Sequence, residues 1–300
     1  MFYIKEVCKL EYEFIGKNVE IISNGEFTLE ETFNCGQCFR WQKINDNTFE
    51  GVAFSKYLRI CEEPNKLILI NTTREDFENI WKNYFDLDLD YNKAKEELSK
   101  INNLMETTCN FAPGIRILSQ DPWETLCSFI ISQNNNIPRI RGIISRLCER
   151  FGRKLFEGVY AFPDASDLAE LSEEDLKPLK SGFRAGYILD AARKITHKEI
   201  ILDDIKIMDV ESARKELQKI KGVGPKVADC TLLYGFHRLE AFPMDVWMRR
   251  AMKEMFVGMS PKDFGEYAGI AQQYIFHYSR MNPELVNKNR HIALNKIKNN

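Results

Sequence analysis

The order of local patterns along the chain limits its fold more than any other feature. Strand-like segments are confined to roughly the first 85 residues, and helical patterns fill the remainder. Thr48–Phe54, Tyr57–Cys61 and Lys66–Thr73 are short β-branched and aromatic runs separated by polar turns, as in an antiparallel meander. An amphipathic helix near Arg74–Phe85 closes this unit. Beyond about Asp90 the strands vanish. Asp121-Pro122-Trp123-Glu124 combines an N-cap, a proline at the first helical position and a glutamate at the third, a strong helix start. The spacing predicts helices over Ile137–Phe151, stopping at Gly152, and over Ser172–Leu179, Ala185–Ile195, Val210–Ile220, Pro225–Tyr234, Asp245–Phe256 and Asp263–Tyr278. The expected class is α+β. An N-terminal unit spans 1–110 and a helical link 111–120; a helical body spans 121–260 with a hairpin at 210–235, and a C-terminal helix and basic tail occupy 261–300.

Composition narrows the function classes. With 44% apolar residues over 300 positions the chain can bury a substantial core. The balance of 42 basic against 44 acidic residues offers no overall attraction to nucleic acid. A local basic excess does exist, in Arg139, Arg141, Arg146, Arg150, Arg153 and Lys154 against Glu149. The eight cysteines show no disulfide spacing, nothing resembles a signal peptide, and no apolar run approaches the ~20 residues that span a bilayer. We therefore expect an intracellular protein without membrane contact, in the cytoplasm or nucleoid of a prokaryote or the nucleus of a eukaryote. Cys35-Gly36-Gln37-Cys38 matches C-x-x-C, but a thioredoxin-like reading needs a βαβ context and the flanking strand signals are antiparallel. No second pair completes a zinc site, and His197, His237, His277 and His291 form no ligand set, so no metal is expected.

The sharpest local motif is Ile220-Lys221-Gly222-Val223-Gly224-Pro225-Lys226. A helix stops, two glycines flank one apolar residue, and proline opens the next helix: a helix-hairpin-helix. Its exposed backbone N–H groups, at Gly222, Val223 and Gly224, suit a DNA phosphate; the bland alternative is an ordinary αα-hairpin. Lys226 falls in the first turn of the second helix. The positive dipole end disfavours an ammonium there and favours the neutral, nucleophilic amine. For most lysines near a turn, solvent exposure is the whole story. Asp245, nineteen residues on, would cap the next helix in any case; as a carboxylate beside a reacting sugar it would also stabilise developing positive charge.

Hairpin, lysine and aspartate in this order resemble the helix-hairpin-helix DNA glycosylase superfamily. The likeness extends along the chain. Gly36-Gln37-Cys38-Phe39-Arg40-Trp41 is similar to the early G-Q-x-F-R-W segment of the 8-oxoguanine DNA glycosylases. Gln120-Asp121-Pro122-Trp123-Glu124 and Ser132-Gln133-Asn134-Asn135-Asn136-Ile137 resemble that family's next two segments, and Gly182-Phe183-Arg184-Ala185 and Ala268-Gly269-Ile270-Ala271-Gln272 two further ones. The resemblance implies a TATA-binding-protein-like antiparallel sheet domain followed by two mainly α-helical domains with the active site in their cleft. It implies a monomer acting on double-stranded DNA that contains 8-oxoguanine, preferably opposite cytosine, as glycosylase and abasic-site lyase.

Residue by residue, the resemblance makes Lys226 the nucleophile that forms a Schiff base and Asp245 its supporting carboxylate. Gly36 would accept from the lesion's N7–H, Gln272 would read the Watson–Crick edge, and Phe276 and Cys230 would sandwich the flipped ring. Cys230 lies four residues after Lys226, on the same helix face; core packing is the commoner fate of both Phe276 and Cys230. Asn134, Arg139 and Arg184 would fill the vacated stack and read the orphaned cytosine. The chain departs from animal members twice. Phe183 replaces a tyrosine wedge, and Trp247 stands where those members carry histidine, loosening a phosphate contact and the opposite-base preference. No cysteine follows Cys230, so the iron–sulfur cluster of the endonuclease III branch has no ligands here. The hairpin carbonyls leave room for a monovalent cation as in relatives. Two rivals are an alkyladenine glycosylase, a type that typically lacks the hairpin lysine, and a non-catalytic hairpin module.

Overall fold

The computed structural model describes residues 10–286; the basic tail expected after them lies outside the described residues. Strands β1 (Tyr12–Ile15), β2 (Asn18–Ile22), β3 (Trp41–Asn45), β4 (Thr48–Ala53), β5 (Lys56–Glu63) and β6 (Lys66–Ile70) form one antiparallel sheet in the order β1-β2-β6-β5-β4-β3. The three central strands answer the sequence reading. The outer three escaped it because they are short and half polar; in β3 only Trp41 is buried. Register sets Val19 opposite Leu69 and Leu69 opposite Ile60, so alternate residues line up on one face. That face packs on Phe27, on Phe33 of helix α1 (Leu29–Asn34) and on Phe77, Trp81 and Phe85. These last three come from a single helical stretch in which a π turn, Phe77–Trp81, separates α2 (Arg74–Asp76) from α3 (Lys82–Tyr84).

The rest is helical: α4 (Tyr91–Ser99), α5 (Asn103–Phe111), α6 (Pro122–Ser132), α7 (Ile137–Phe151), α8 (Ala165–Ala169), α9 (Arg184–Thr196), α10 (Leu202–Ile207), α11 (Val210–Leu217), α12 (Pro225–Gly235), α13 (Val246–Glu254) and α14 (Ala268–Met281). The cap chemistry read from sequence is present. Asp121 accepts from Glu124 N–H at 2.8 Å, and Asn136 and Asp245 cap α7 and α13 the same way. Four expectations fail. The link expected to be helical over 111–120 is turn and irregular chain once α5 ends at Phe111. Ser172–Leu179 is a turn ending in a 3₁₀ segment, Lys177–Leu179, because Pro178 cannot supply an interior helix bond. A small hairpin, β7 (Lys154–Phe156) and β8 (Val159–Tyr160), interrupts the helical half. The last expected helix is broken: Gly265, at φ +61, kinks the 3₁₀ segment Pro261–Tyr267 from within, and α14 begins only at Ala268.

Two cores divide the chain nearer residue 90 than 110. Ala94, Leu98, Met105 and Cys109 of α4 and α5 bury their apolar faces in the helical core, with Tyr274 and Ile275 of α14. The segment Cys35–Trp41 feeds both: Cys35 and Phe39 enter the helical core, whereas Cys38 and Trp41 enter the sheet core. Each large side chain so buried is worth roughly 1.5–3 kcal/mol, and the alternation stitches the two halves together along one short stretch.

Candidate active site

The hairpin is built from both sides. Arg214 of α11 meets Asp229 of α12 at 2.6 Å, a half-buried pair that fixes the angle between the two helices, and burial raises the Asp229 carboxyl. Gly222 has φ +81, and a Cβ there would lie 2.2 Å from the Tyr187 ring, so both conformation and space demand glycine. Gly224 has open space around its Cα. Lys221 donates its backbone N–H to Asp190 at 2.7 Å. Val223 is buried and spends its N–H on the Ile220 carbonyl at 3.0 Å, so it is a core plug and not a phosphate donor. Among the described residues no acceptor meets the N–H groups of Gly222 or Gly224, which remain for a ligand.

Lys226 stands at the second position of α12, its Nζ 4.8 Å from the centre of the Phe129 ring on α6. Phe129 in turn stacks on Tyr234 at 5.4 Å. This aromatic floor holds the long lysine chain over one spot. Cys230, one turn along, is buried and its thiol is pushed up to about 11. Burial is the main cause; the positive charge of Lys226 draws it down, and the carboxylates of Asp229 and, less, Asp245 push it up. Asp245 uses Oδ1 to accept from Met248 N–H at 2.7 Å. The cap is thus present, and it leaves Oδ2 of the same carboxylate without a hydrogen bond among the described residues.

The base-pocket residues converge from three segments. Gln272 is buried, donating to the Pro243 carbonyl at 3.2 Å and accepting from the Tyr234 hydroxyl at 3.3 Å. Its amide orientation is thereby set, with one N–H and one lone pair left over. Tyr234 also donates to Gln273 at 2.6 Å, and Gln273 donates to the Cys35 carbonyl at 3.1 Å. On the far side of Gly36, Gln120 donates to the Gln37 carbonyl at 2.8 Å, and the buried Gln37 amide is itself held by Thr32, Arg116 and Leu118. Gly36 is thus pinned at both neighbours, at φ +91, while among the described residues nothing donates to its own carbonyl. A Cβ on Gly36 would sit 3.4 Å from Phe276, which confirms that the turn and α14 face each other. Cys35 and Cys38 are buried thiols, Cys35 pushed up to about 12 by burial, as expected of packing and not of redox exchange.

The residues expected to meet the opposite strand cluster on two turns. Asn134 is exposed at φ +47, Arg139 is exposed with its guanidinium 3.4 Å from the Lys180 carbonyl, and Phe183 is 55% exposed. Arg184 differs from expectation. It is buried, donating to the carbonyls of Ser181, Gln133 and, at 2.9 Å, Asn134. Its donors are committed, and what it does is tie the turn carrying Asn134 to the turn carrying Phe183. Of the basic stretch on α7, Arg146 is likewise spent on the Leu179 carbonyl. Sequence reasoning overlooked Phe129, Tyr234, Gln273 and Arg280; only Gln37 and Gln120 lay inside motifs already noticed, because the others act through contacts far apart in the chain.

A sheet domain against a helical body, with a lysine in the first turn after a two-glycine hairpin and an aspartate capping the next helix, defines the class: a helix-hairpin-helix protein with its lysine at the hairpin. Residues 20–126 match the 8-oxoguanine DNA glycosylase N-terminal domain, and residues 127–264 match the HhH-GPD superfamily base excision DNA repair proteins. An N-glycosylase/DNA lyase of Saccharomyces cerevisiae is 34% identical over 77% of this chain and 69% of its own length. A probable N-glycosylase/DNA lyase of Methanothermobacter thermautotrophicus is 30% identical over 85% and 94%. The solved structure of the Clostridium acetobutylicum 8-oxoguanine glycosylase/lyase, in complex with double-stranded DNA containing cytosine opposite 8-oxoguanine, is 38% identical. It covers 92% of this chain and 99% of its own, with a TM-score of 0.85. The chain belongs to the HhH-GPD superfamily of base-excision DNA repair enzymes, within its bifunctional 8-oxoguanine DNA glycosylase/lyases.

Proposed function

We propose that this enzyme removes 8-oxoguanine from duplex DNA, preferring cytosine opposite, by flipping the base and attacking its sugar with Lys226. The observation that carries the reading is the placement of Lys226 in the first turn of α12, its amine held 4.8 Å over Phe129 directly behind a hairpin whose Gly222 and Gly224 N–H groups are unspent. The glycosidic bond is unreachable inside the stack, so the nucleotide must first turn out into the pocket. Gly36 accepts from the lesion's N7–H, a donor that guanine lacks; Gln272 reads the Watson–Crick edge; Phe276 and Cys230 bound the ring faces. Phe183 fills the gap, and Asn134 and Arg139 meet the cytosine. Arg184 orders their turn from beneath. The enzyme works as a monomer in the compartment that holds the DNA.

In the chemical step the Lys226 amine forms a bond to the anomeric carbon while the carbon–nitrogen bond to the base breaks, the base leaving with that electron pair and taking a proton. Asp245 offsets the positive charge on the sugar. Ring opening gives the Lys226 imine, loss of a proton from the adjacent carbon feeds electrons toward it, and the 3′ phosphate departs. Borohydride trapping on DNA carrying 8-oxoguanine opposite cytosine tests this. A covalent adduct that disappears in Lys226→Gln, with DNA binding retained, is expected; folded wild-type protein that gives no adduct refutes it.

A further inference from the structure

Arg280 stands at the rim of the pocket, on the same helix as Phe276 and one turn later. Its guanidinium carbon is 5.5 Å from the centre of the Phe276 ring, and Nη1 is 3.5 Å from where a Cβ on Gly36 would be. It is exposed, and among the described residues no carboxylate pairs with it. The groups around it are Phe276, Gly36 and His277, whose imidazole is lowered first by burial and then by this same positive charge. A permanent cation without a carboxylate partner among the described residues therefore stands beside Gly36, whose carbonyl accepts nothing among them.

8-Oxoguanine differs from guanine at two adjacent atoms. N7 gains a hydrogen and becomes a donor, and C8 gains an oxygen and becomes an acceptor. A site that reads both needs an acceptor and a donor side by side, which is what Gly36 and Arg280 provide. We propose that Arg280 is a specificity-determining residue that donates a hydrogen bond from its guanidinium to the C8 oxygen of the flipped base. The inference rests on the placement of the base at Gly36 given above. A charged donor to a carbonyl is a strong hydrogen bond and is strengthened in a site that excludes water.

The test is single-turnover excision and equilibrium binding by wild type, Arg280→Gln and Arg280→Lys. On 8-oxoguanine DNA, Arg280→Gln should lose roughly ten- to a hundredfold, the value of a hydrogen bond to a charged group, and Arg280→Lys should recover part of it. Binding to 7-deaza-8-oxoguanine, which keeps the C8 oxygen but lacks the N7 donor, should weaken by a similar factor in Arg280→Gln. Strand cleavage at a ready-made abasic site and binding to an abasic analogue should be unchanged, which also establishes that the variant is folded. An equal loss on abasic DNA, accompanied by a shallower salt dependence, would make Arg280 a phosphate contact and overturn the proposal. So would undiminished or faster excision by Arg280→Gln. If wild type itself does not favour 8-oxoguanine over guanine, the proposed substrate falls, an outcome read on the wild-type enzyme alone and so distinct from any effect of the Arg280 variants.

Discussion

Replacing Gly36 by alanine separates recognition from chemistry. An L-residue at φ +91 is strained, at a cost of about 1–3 kcal/mol. The added Cβ would stand 3.4 Å from Phe276 and 3.5 Å from Arg280, ordinary contact distances that add little to that cost in the free protein. The folding penalty therefore stays near the conformational figure, which for a chain of this size lowers the melting temperature by roughly 2–4 °C per kcal/mol. The occupied pocket is another matter. The methyl group points at Phe276, into the space the proposal gives to the oxidised edge of the base, so on that placement the N7–H bond cannot close. Losing it leaves a buried donor unpaired, about 1–3 kcal/mol, and displacing the ring from Phe276 adds to this. Excision of 8-oxoguanine should fall by at least roughly a hundredfold, while cleavage at a ready-made abasic site should stay within about threefold of wild type. Thermal denaturation and single-turnover gel assays on the two substrates suffice. A folded Gly36→Ala enzyme that excises at the wild-type rate, or loses both activities equally, refutes the placement of the base edge at this turn.

The two hairpin glycines should behave differently. Gly222→Ala drives a Cβ into Tyr187 at positive φ and should destabilise by about 2–4 kcal/mol in urea titrations. Gly224→Leu has open space and should leave stability within about 1 kcal/mol, yet weaken DNA affinity about tenfold by anisotropy; unchanged affinity means the hairpin does not grip phosphate. Phe183→Ala, at an exposed ring, should leave the melting temperature alone but slow excision from fully paired duplex more than from DNA with a gap opposite the lesion. Glu124, paired with Arg40 at 3.2 Å, is raised by burial from 4.5 to about 7. The folded chain thus takes up this proton before the unfolded chain does. The contribution is complete below about pH 4.5 and is lost as pH rises through about 7. Glu124→Gln should flatten that part of the stability profile, and parallel profiles for variant and wild type would contradict it.

What the sequence disclosed and what it hid follow from the range of the interactions. Asp121, Asn136 and Asp245 announce their helices because a cap is satisfied within three residues. Lys226 was visible for the same reason, its place being fixed by Gly224 and Pro225 beside it. Ser172–Leu179 misled because its charge pattern is helical while Pro178 is not. Arg184 looked like a DNA contact because a motif gives no indication of where a guanidinium points; the Ser181 carbonyl of its own turn and those of Gln133 and Asn134 on another claim it. Phe129, Tyr234, Gln273 and Arg280 could not be read at all, since each acts on a partner brought near only by the fold, Gln273 reaching back 238 positions to Cys35.

The seam at Cys35–Trp41, alternating between two cores, bears on fidelity under stress. The Gly36 carbonyl proposed to select the base is tied to the sheet half through Gln37, though its other neighbour Cys35 is held by Gln273, whereas Lys226, Asp245 and Cys230 belong to the helical half alone. If heat or denaturant loosens the sheet half first, the lysine and its aspartate stay assembled while the selecting edge drifts away. Such an enzyme would still cut at abasic sites after it had ceased to tell oxidised guanine from intact guanine. Discrimination would melt before catalysis, and the order of loss on warming would record which half gives way.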